Sequence, residues 1–164
     1  MKINIAVLAG LMVLGGLAGT SGAQENADAQ FITKAGSQAS SVGSSQFFTG
    51  HVHIDPLFSD KGTDAPYSAA YVTFAPGARS FWHTHPTGQH LIVTHGTGWT
   101  ATWEGDKTEI QAGDVVWCPP GIKHWHGATD TTSMTHMALT GIKDGNNVTW
   151  LEAVSDEQYL KPLE

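Results

Sequence analysis

The stretch Gly77–Gly96, GARSFWHTHPTGQHLIVTHG, places two histidines and a glutamine among β-favouring residues. Side chains two residues apart in a strand lie on the same face, so His83 and His85 point in the same direction. Pro86-Thr87-Gly88 is a turn sequence, and Gln89 begins the next strand close to the histidine pair. Two converging imidazoles and an amide oxygen beside them predict part of a metal site.

A second stretch, Gly113–His124 (GDVVWCPPGIKH), supplies one more histidine. Gly113-Asp114 precedes a predicted strand, Pro119-Pro120-Gly121 turns the chain back, and His124 follows. Three histidines and an oxygen donor from separate strands of one barrel can bind a divalent transition metal. The predicted metal ligands are His83, His85, Gln89 and His124.

Short β-favouring runs separated by turn sequences extend from Phe47 onward. The predicted strands are Thr49–Ile54, Tyr67–Phe74, Ser80–Thr84, His90–Thr94, Trp99–Trp103, Val115–Trp117 and Ser133–Thr140. Gly96-Thr97-Gly98 is one of the predicted turns. Short strands at this spacing are typical of an all-β sandwich or barrel. One short helix is predicted near the C-terminus, where Ser155 and Gln158 have the spacing of a capping box.

The N-terminus has the pattern of a secretory signal peptide over residues 1–23: Lys2, an apolar run, and small residues ending at Ala23. The alternative is an uncleaved membrane anchor, but the run is short for a bilayer span. Residues 24–46 are polar and small and predict a flexible lead-in with one short strand at Phe31–Thr33. The folded domain is expected over residues 47–164, and the protein is expected to be exported, periplasmic or secreted.

The acidic balance of the chain restricts its partners. The formal net charge is -7, and removal of Lys2 with the leader makes it -8 (-7 minus 1). This charge argues against nucleic acid and against anionic membrane surfaces as partners. The expected partner is a small-molecule substrate, as for a metal-dependent enzyme. Cys118 is the only cysteine, which excludes an internal disulfide, and its apolar neighbours predict a buried position.

The two motifs resemble those of the cupin superfamily. The first cupin motif is a glycine, five residues, H-x-H, three or four residues, a glutamate, six residues and a glycine, and Gly77–Gly96 meets every spacing. The second is a glycine, five residues, P-x-G, two residues and a histidine, which Gly113–His124 also meets. The resemblance implies a jelly-roll barrel, or double-stranded β-helix. Two positions depart from it: Gln89 replaces the glutamate, and Ala128 replaces a closing asparagine.

Several longer stretches narrow the resemblance to a group of small bacterial cupins. They are FFTG (47–50), IDPLF (54–58), HTHPTGQ, GDVVWCPPGIKHWHGAT and MTHMA. This group includes manganese-dependent hydroxynitrile lyases, which cleave (R)-mandelonitrile to benzaldehyde and cyanide. The resemblance implies one divalent metal per chain, with Mn(II) favoured and Fe(II), Ni(II) or Zn(II) as alternatives. A cupin dioxygenase and a non-catalytic ligand or metal binder are the alternative functions.

Two of the remaining histidines are candidate catalytic residues, and the others are given no role in catalysis. His136 matches an active-site position of the lyases and is predicted to be the catalytic base near pH 7, and His126, on the face of His124, is the second catalytic candidate. His51-Val52-His53 lacks the Pro-Gly turn and the oxygen ligand, so it is interpreted as a surface strand or a subunit interface. His90 is expected to face outward, and no role is assigned to His95.

Two further expectations concern packing and assembly. Core and pocket-wall positions are predicted for Trp82, Trp99, Trp103 and Trp117, while Arg79 and Lys123 are expected to be solvated. Barrels are expected to pair through an edge such as Thr49–Ile54, which predicts a homo-oligomer, either a dimer or a tetramer.

Overall fold

The structure, a computed structural model, describes residues 30–60 and 65–163. Every described strand and helix lies within the unit Ile32–Glu164. The predicted signal peptide, residues 1–23, lies outside the described residues, as do residues 24–29 of the lead-in. Within the described ranges, no helix has the length and hydropathy needed to span a bilayer.

The described part of the chain contains twelve antiparallel strands in a single curled sheet and one short helix. The strands are β1 Ser41–Val42, β2 Phe48–Thr49, β3 Val52–Phe58, β4 Tyr67–Phe74, β5 Arg79–Ser80, β6 His83–Thr84, β7 Gln89–Thr102, β8 Thr108–Gln111, β9 Val115–Cys118, β10 His124–Ala128, β11 Met134–Gly141 and β12 Thr149–Trp150. The helix is α1, Asp156–Leu160. The all-β prediction is confirmed.

The long strand β7 joins the two layers of the barrel. Its first half pairs with β11 and β9, and its second half pairs with β10 and β8. The predicted turn at Gly96-Thr97-Gly98 is therefore wrong, because the strand continues through it. Glycine is needed at Gly98, where a Cβ atom would lie 2.2 Å from the Gly127 carbonyl oxygen of the neighbouring strand.

Alternation along β11 shows how the sequence fills the barrel. Met134, His136, Ala138 and Thr140 are buried, while the residues between them are only partly buried. Two of these four inward side chains, His136 and Thr140, are polar, so the strand brings polar groups into the barrel interior. The main core consists of Val52, Val72, Phe74, Ala78, Leu91, Val93, Ile110, Cys118, Ala128, Met134 and Ala138.

The C-terminal segment packs against the outer side of the barrel. Ser155 caps α1, and the predicted capping box with Gln158 is present. Tyr159 is buried against Trp82 and Trp125 in a second core cluster, and its hydroxyl donates to the Ala128 carbonyl. The C-terminal segment therefore covers the apolar side chains of Trp82 and Trp125.

Arg79 was expected to be solvated, and this expectation is wrong. Its side chain is buried, donates to the Val154 carbonyl, pairs with Asp156 at 2.5 Å and lies over the Tyr159 ring. The Lys123 ammonium makes a cation–π contact, since it lies 3.3 Å from the centre of the Trp103 ring. Both cations are retained by aromatic rings and by acceptors that sequence periodicity does not reveal.

Other sequence predictions differ from the structure in detail. Residues Phe31–Thr33 form no strand, and β3 continues through Pro56 with a bulge instead of ending there. The predicted strand Ser80–Thr84 is divided into β5 and β6, while β1, β8, β10 and β12 have no counterpart among the predicted strands. Trp103 and Trp117 are 51% and 48% exposed, so only Trp82 among the four predicted core tryptophans is fully buried and Trp99 is partly buried.

Candidate metal centre

Three histidines meet inside the barrel. His83 on β6 lies directly opposite His124 on β10, and His85 follows β6 just before the turn. One ligand nitrogen from each ring lies within 4.8 Å of the other two. The side chains are 1%, 1% and 3% exposed for His83, His124 and His85. The structure therefore brings together the three histidines that the sequence motifs single out.

A backbone carbonyl fixes the tautomer of each ring. The Nδ1 atoms of His83, His85 and His124 lie 2.8, 2.5 and 2.9 Å from the carbonyl oxygens of Phe81, Asn147 and Ile122. A carbonyl can only accept, so each Nδ1 carries the proton and each Nε2 keeps a lone pair. The Nε2 atoms of His85 and His124 are buried without a hydrogen-bond partner. This arrangement of outer acceptors and inner lone pairs is typical of metal-binding histidines.

Gln89 presents an oxygen to the same place. Its amide nitrogen donates to Thr140 Oγ1 at 2.9 Å, which leaves Oε1 buried without a hydrogen-bond partner. The side chain is close enough to His85 to raise the pKa of that imidazole, against the larger lowering caused by burial. Oε1 and the imidazole nitrogens are all acceptors, so a cation bound among them would satisfy every one of these lone pairs. The residues present fit a divalent metal ion.

The electrostatics favour neutral ligands. Burial lowers the pKa of His124 to about 4, and burial together with the neighbouring histidines lowers the pKa of His83 well below its usual value. Both rings are therefore unprotonated at neutral pH, as metal binding requires. The amide of Gln89 is also uncharged, so a divalent ion held by these four groups would keep its full positive charge.

The two catalytic candidates form a buried pair beside the cluster. His136 Nε2 lies 3.1 Å from His126 Nδ1, while His136 Nδ1 and His126 Nε2 have no hydrogen-bond partner. Burial lowers the pKa of His136 to about 3. It is neutral at physiological pH and is a weak base. Its catalytic role, like that of His126, stays a prediction.

A cavity of about 220 Å³ opens beside the histidines. Its polar lining residues are His83, His85, Gln89, His126, His136, Thr140 and Asn147, and its apolar lining residues are Phe48, Ile54, Val72, Ala138, Val148 and Trp150. A second cavity, of about 250 Å³, is lined by His124 together with three threonines and several apolar residues of the neighbouring strands. The first cavity can hold an organic molecule with one end at the metal position and the other on apolar side chains.

Sequence reasoning missed three contributors to this site. Thr140 orients the Gln89 amide, the Asn147 carbonyl orients His85, and Trp150 lines the cavity. The inward alternation of β11 could have indicated Thr140. No sequence pattern identifies a backbone carbonyl as a partner, and Trp150 lies on a strand of only two residues.

The other histidines lie apart from the centre. His51 is exposed, and His53 is partly buried and contacts Asp55 at 3.0 Å. His90 faces outward, as predicted, and its ring lies 4.5 Å from that of Trp117. These placements leave His83, His85 and His124 as the group with metal-site geometry among the described residues.

The sequence of the chain is similar to those of known proteins. The sequence profile of the cupin domain matches residues 70–139. The chain is 56% identical over 130 residues to an (R)-mandelonitrile lyase from Granulicella tundricola, a match that covers 79% of this chain and 98% of that protein.

Solved structures give the same fold. A cupin-like protein from Thermotoga maritima superposes with a TM-score of 0.71 at 37% identity, covering 82% of this chain and 98% of that one. A cupin-2 domain protein from Rhodospirillum rubrum has a TM-score of 0.60 at 15% identity, covering 74% and 80% of the two chains, and is similar in fold alone. The predicted jelly-roll barrel is therefore confirmed.

Proposed function

The chain belongs to the cupin domain family, and from that premise we propose that it is a metal-dependent lyase that cleaves a cyanohydrin such as (R)-mandelonitrile to an aldehyde and hydrogen cyanide. The observation that carries the proposal is the uncharged set of three histidines and Gln89 beside a cavity with an apolar wall. The relative from Granulicella tundricola, at 56% identity, has this activity in its name.

The proposed reaction needs Lewis-acid polarisation of the substrate hydroxyl, which a divalent metal on His83, His85, Gln89 and His124 supplies. We favour Mn(II), because the cleavage involves no change of oxidation state. The O–H and C–CN bonds break, the C=O bond forms, and cyanide leaves with the proton. Because His83, His85, Gln89 and His124 are all uncharged, a divalent ion held by them would keep its full charge and would polarise an oxygen more strongly than one held beside a carboxylate ligand.

The buried histidine pair is suited to hold the proton between the two bond-breaking events. His136 Nδ1 and His126 Nε2 are the two unpartnered atoms of the pair. With a pKa of about 3, His136 accepts a proton only from a strongly acidified hydroxyl and gives it up readily. We assign the pair the role of passing the proton from the hydroxyl to departing cyanide.

The test combines a metal measurement with an anaerobic assay. Purified protein is analysed for bound metals by plasma mass spectrometry and then assayed without oxygen for benzaldehyde release from (R)-mandelonitrile. Turnover that requires the metal and is independent of oxygen is expected, and His83→Ala is expected to lack it. Oxygen uptake with an iron requirement would indicate a dioxygenase instead. Metal binding without turnover of any cyanohydrin would indicate a binding protein.

We also propose that the protein is exported and that the mature chain begins at Gln24. The proposal is supported by Lys2, the apolar run and the small residues that end at Ala23. N-terminal sequencing of protein from the periplasm or the culture medium should give Gln24. Recovery of an intact Met1 from the native host would contradict export by this route.

We further propose that the barrels form a homo-oligomer, either a dimer or a tetramer. In the order of the sheet, β1 and β2 are the terminal strands, and β2 includes Thr49 of the predicted edge. Exposed Tyr71, Val115 and Trp117 lie on the outer face and give an apolar surface for a second copy. Light scattering at micromolar concentration should give at least twice the monomer mass, and a monomer would contradict the proposal.

A further inference from the structure

Two aromatic side chains, Phe48 and Trp150, line the cavity, and Phe47 packs against Trp150. Phe47 stacks on Trp150 with ring centres 4.9 Å apart and an angle of 18° between the planes, and Phe48 meets Trp150 edge-on at 5.4 Å. We call Phe47, Phe48 and Trp150 the aromatic wall. Because Phe47 covers one face of the indole and Phe48 its edge, the Trp150 side chain is held in one orientation.

The aromatic wall is joined directly to the metal centre. Trp150 is the cross-strand neighbour of His83 in the β12–β6 pair, and their ring centres are 4.9 Å apart. A group that rests against Trp150 is therefore about one ring away from the imidazole that contributes Nε2 to the cluster. The same side chain contacts a predicted metal ligand and lines the cavity, so it can fix the distance between a bound ring and the reacting atoms.

The cavity volume limits what can lie there. A cavity of about 150 Å³ is known to hold a benzene molecule, and the cavity here is about 220 Å³. One six-membered ring and a few further atoms fit this volume, whereas a fused two-ring system does not fit beside a group that reaches the metal centre. The other apolar residues of the lining, among them Val72 and Ala138, are aliphatic and offer no further phenyl or indole ring.

We propose that Trp150 is the specificity-determining residue of the cavity, which selects substrates with a single aromatic ring and excludes fused rings. This inference rests on the proposed function, since it names the group that the same site recognises. Phe48 contributes to the contact, and Phe47 acts through Trp150 as a positioning residue. Contact between aromatic rings favours an aromatic over a saturated ring by roughly three- to tenfold in affinity.

The test uses unreactive alcohols and titration calorimetry on the metal-loaded protein. The parent should bind benzyl alcohol about three- to tenfold more tightly than cyclohexylmethanol, and 2-naphthylmethanol should not bind measurably. Trp150→Leu should lose the preference for the aromatic ring. Trp150→Phe keeps an aromatic ring but enlarges the cavity, so it should retain the preference and gain binding of 2-naphthylmethanol.

The matched control is Trp103→Leu, which changes a half-exposed tryptophan that packs on Trp82 and does not line this cavity. It should leave all three affinities unchanged. If Trp150→Leu loses its metal or its fold, the gain of 2-naphthylmethanol by Trp150→Phe decides the question. An unchanged aromatic preference in a metal-loaded Trp150→Leu protein, or tight binding of 2-naphthylmethanol to the parent, would overturn the inference. Turnover is not measured, so failure of lyase activity alone would overturn only the proposed function.

Discussion

Two His-x-His pairs in this chain have opposite environments. His83 and His85 are buried to 1% and 3% exposure, and each donates an Nδ1 proton to a backbone carbonyl. His51 is exposed, and the side chain of His53 is 45% exposed and contacts Asp55. Both pairs have the spacing that places two imidazoles on one face of a strand. Spacing alone therefore does not make a metal site.

The difference lies in what surrounds each pair. The turn after His85 returns the chain so that Gln89 starts β7 beside the histidines, and β10 brings His124 directly opposite His83. Around the other pair, β3 has β1 and β4 as its neighbours, and His53 lies opposite Val42 and Thr73. No third histidine approaches His51 and His53 among the described residues. A metal site needs converging donors from several strands and a dry environment that keeps them unprotonated.

The largest predicted effect comes from removing one ligand of the buried set. His83→Ala, His85→Ala and His124→Ala should each weaken metal binding by at least about 100-fold, because each removes a donor from the metal shell. His51→Ala and His53→Ala are the matched controls and should retain the metal. Metal per chain is measured by plasma mass spectrometry after dialysis. Full occupancy in all three ligand variants would show that the site assignment is wrong.

The fold was largely predictable because its signals are local. Period-two alternation and turn residues indicated the all-β class, and Ser155 with Gln158 indicated the helix. The errors have physical causes. At Gly96-Thr97-Gly98 the glycines allow close approach of strands instead of forming a turn, and β3 passes Pro56 by means of a bulge. Both outcomes depend on which strands lie next to each other, which one sequence does not specify.

The predicted metal ligands could be identified from the sequence, but the groups that orient these ligands by hydrogen bonds could not. The spacing in the two motifs singled out His83, His85, Gln89 and His124. The hydroxyl of Thr140 and the carbonyl of Asn147 act from segments that are more than fifty residues away along the chain. The low pKa of His136 results from complete burial, which a residue name in a strand does not reveal. Chemistry at a site is thus easier to predict from sequence than its electrostatics.

The second prediction extends the comparison to pH and concerns His136. An unfolded histidine titrates near 6.5 and buried His136 near 3, so from pH 6.5 down to pH 3 the unfolded chain binds the extra proton. The contribution of His136 to the free energy of unfolding is therefore fully present above pH 6.5 and decreases as the pH is lowered. At pH 4.5 this residue alone should cost about 2 to 3 kcal/mol of the free energy of unfolding.

Urea unfolding of chelator-treated protein at pH 7 and pH 4.5 measures this loss without metal release. His136→Gln keeps a polar side chain that does not titrate, so it should lose less stability than the parent on acidification. His51→Gln changes an exposed histidine and should behave as the parent does. Equal losses in the parent and in His136→Gln would mean that the buried ring takes up its proton in the folded state at little cost.

The smallest predicted effect tests the absence of a negative charge at Gln89 in the metal site. Gln89→Glu adds a negative charge beside the metal, and Gln111→Glu, on an exposed part of β8, adds the same charge away from the ligand set. Metal should bind at least as tightly to Gln89→Glu, because an anionic oxygen is a better donor than an amide.

Anion binding should change in the opposite direction. A unit charge about 4 Å from the anion, at an effective dielectric constant near 20, changes the interaction by roughly 4 kcal/mol before screening and relaxation. A third of that amount weakens azide binding by about tenfold. Azide titration of the fully loaded proteins should therefore show weaker binding in Gln89→Glu and parent-like binding in Gln111→Glu. Unchanged azide affinity in Gln89→Glu would mean that the amide acts as a spacer, and that the uncharged ligand set is not what makes this metal a strong electrophile. Because the acidification of a cyanohydrin hydroxyl depends on the same charge, turnover should fall together with azide affinity while metal occupancy stays constant.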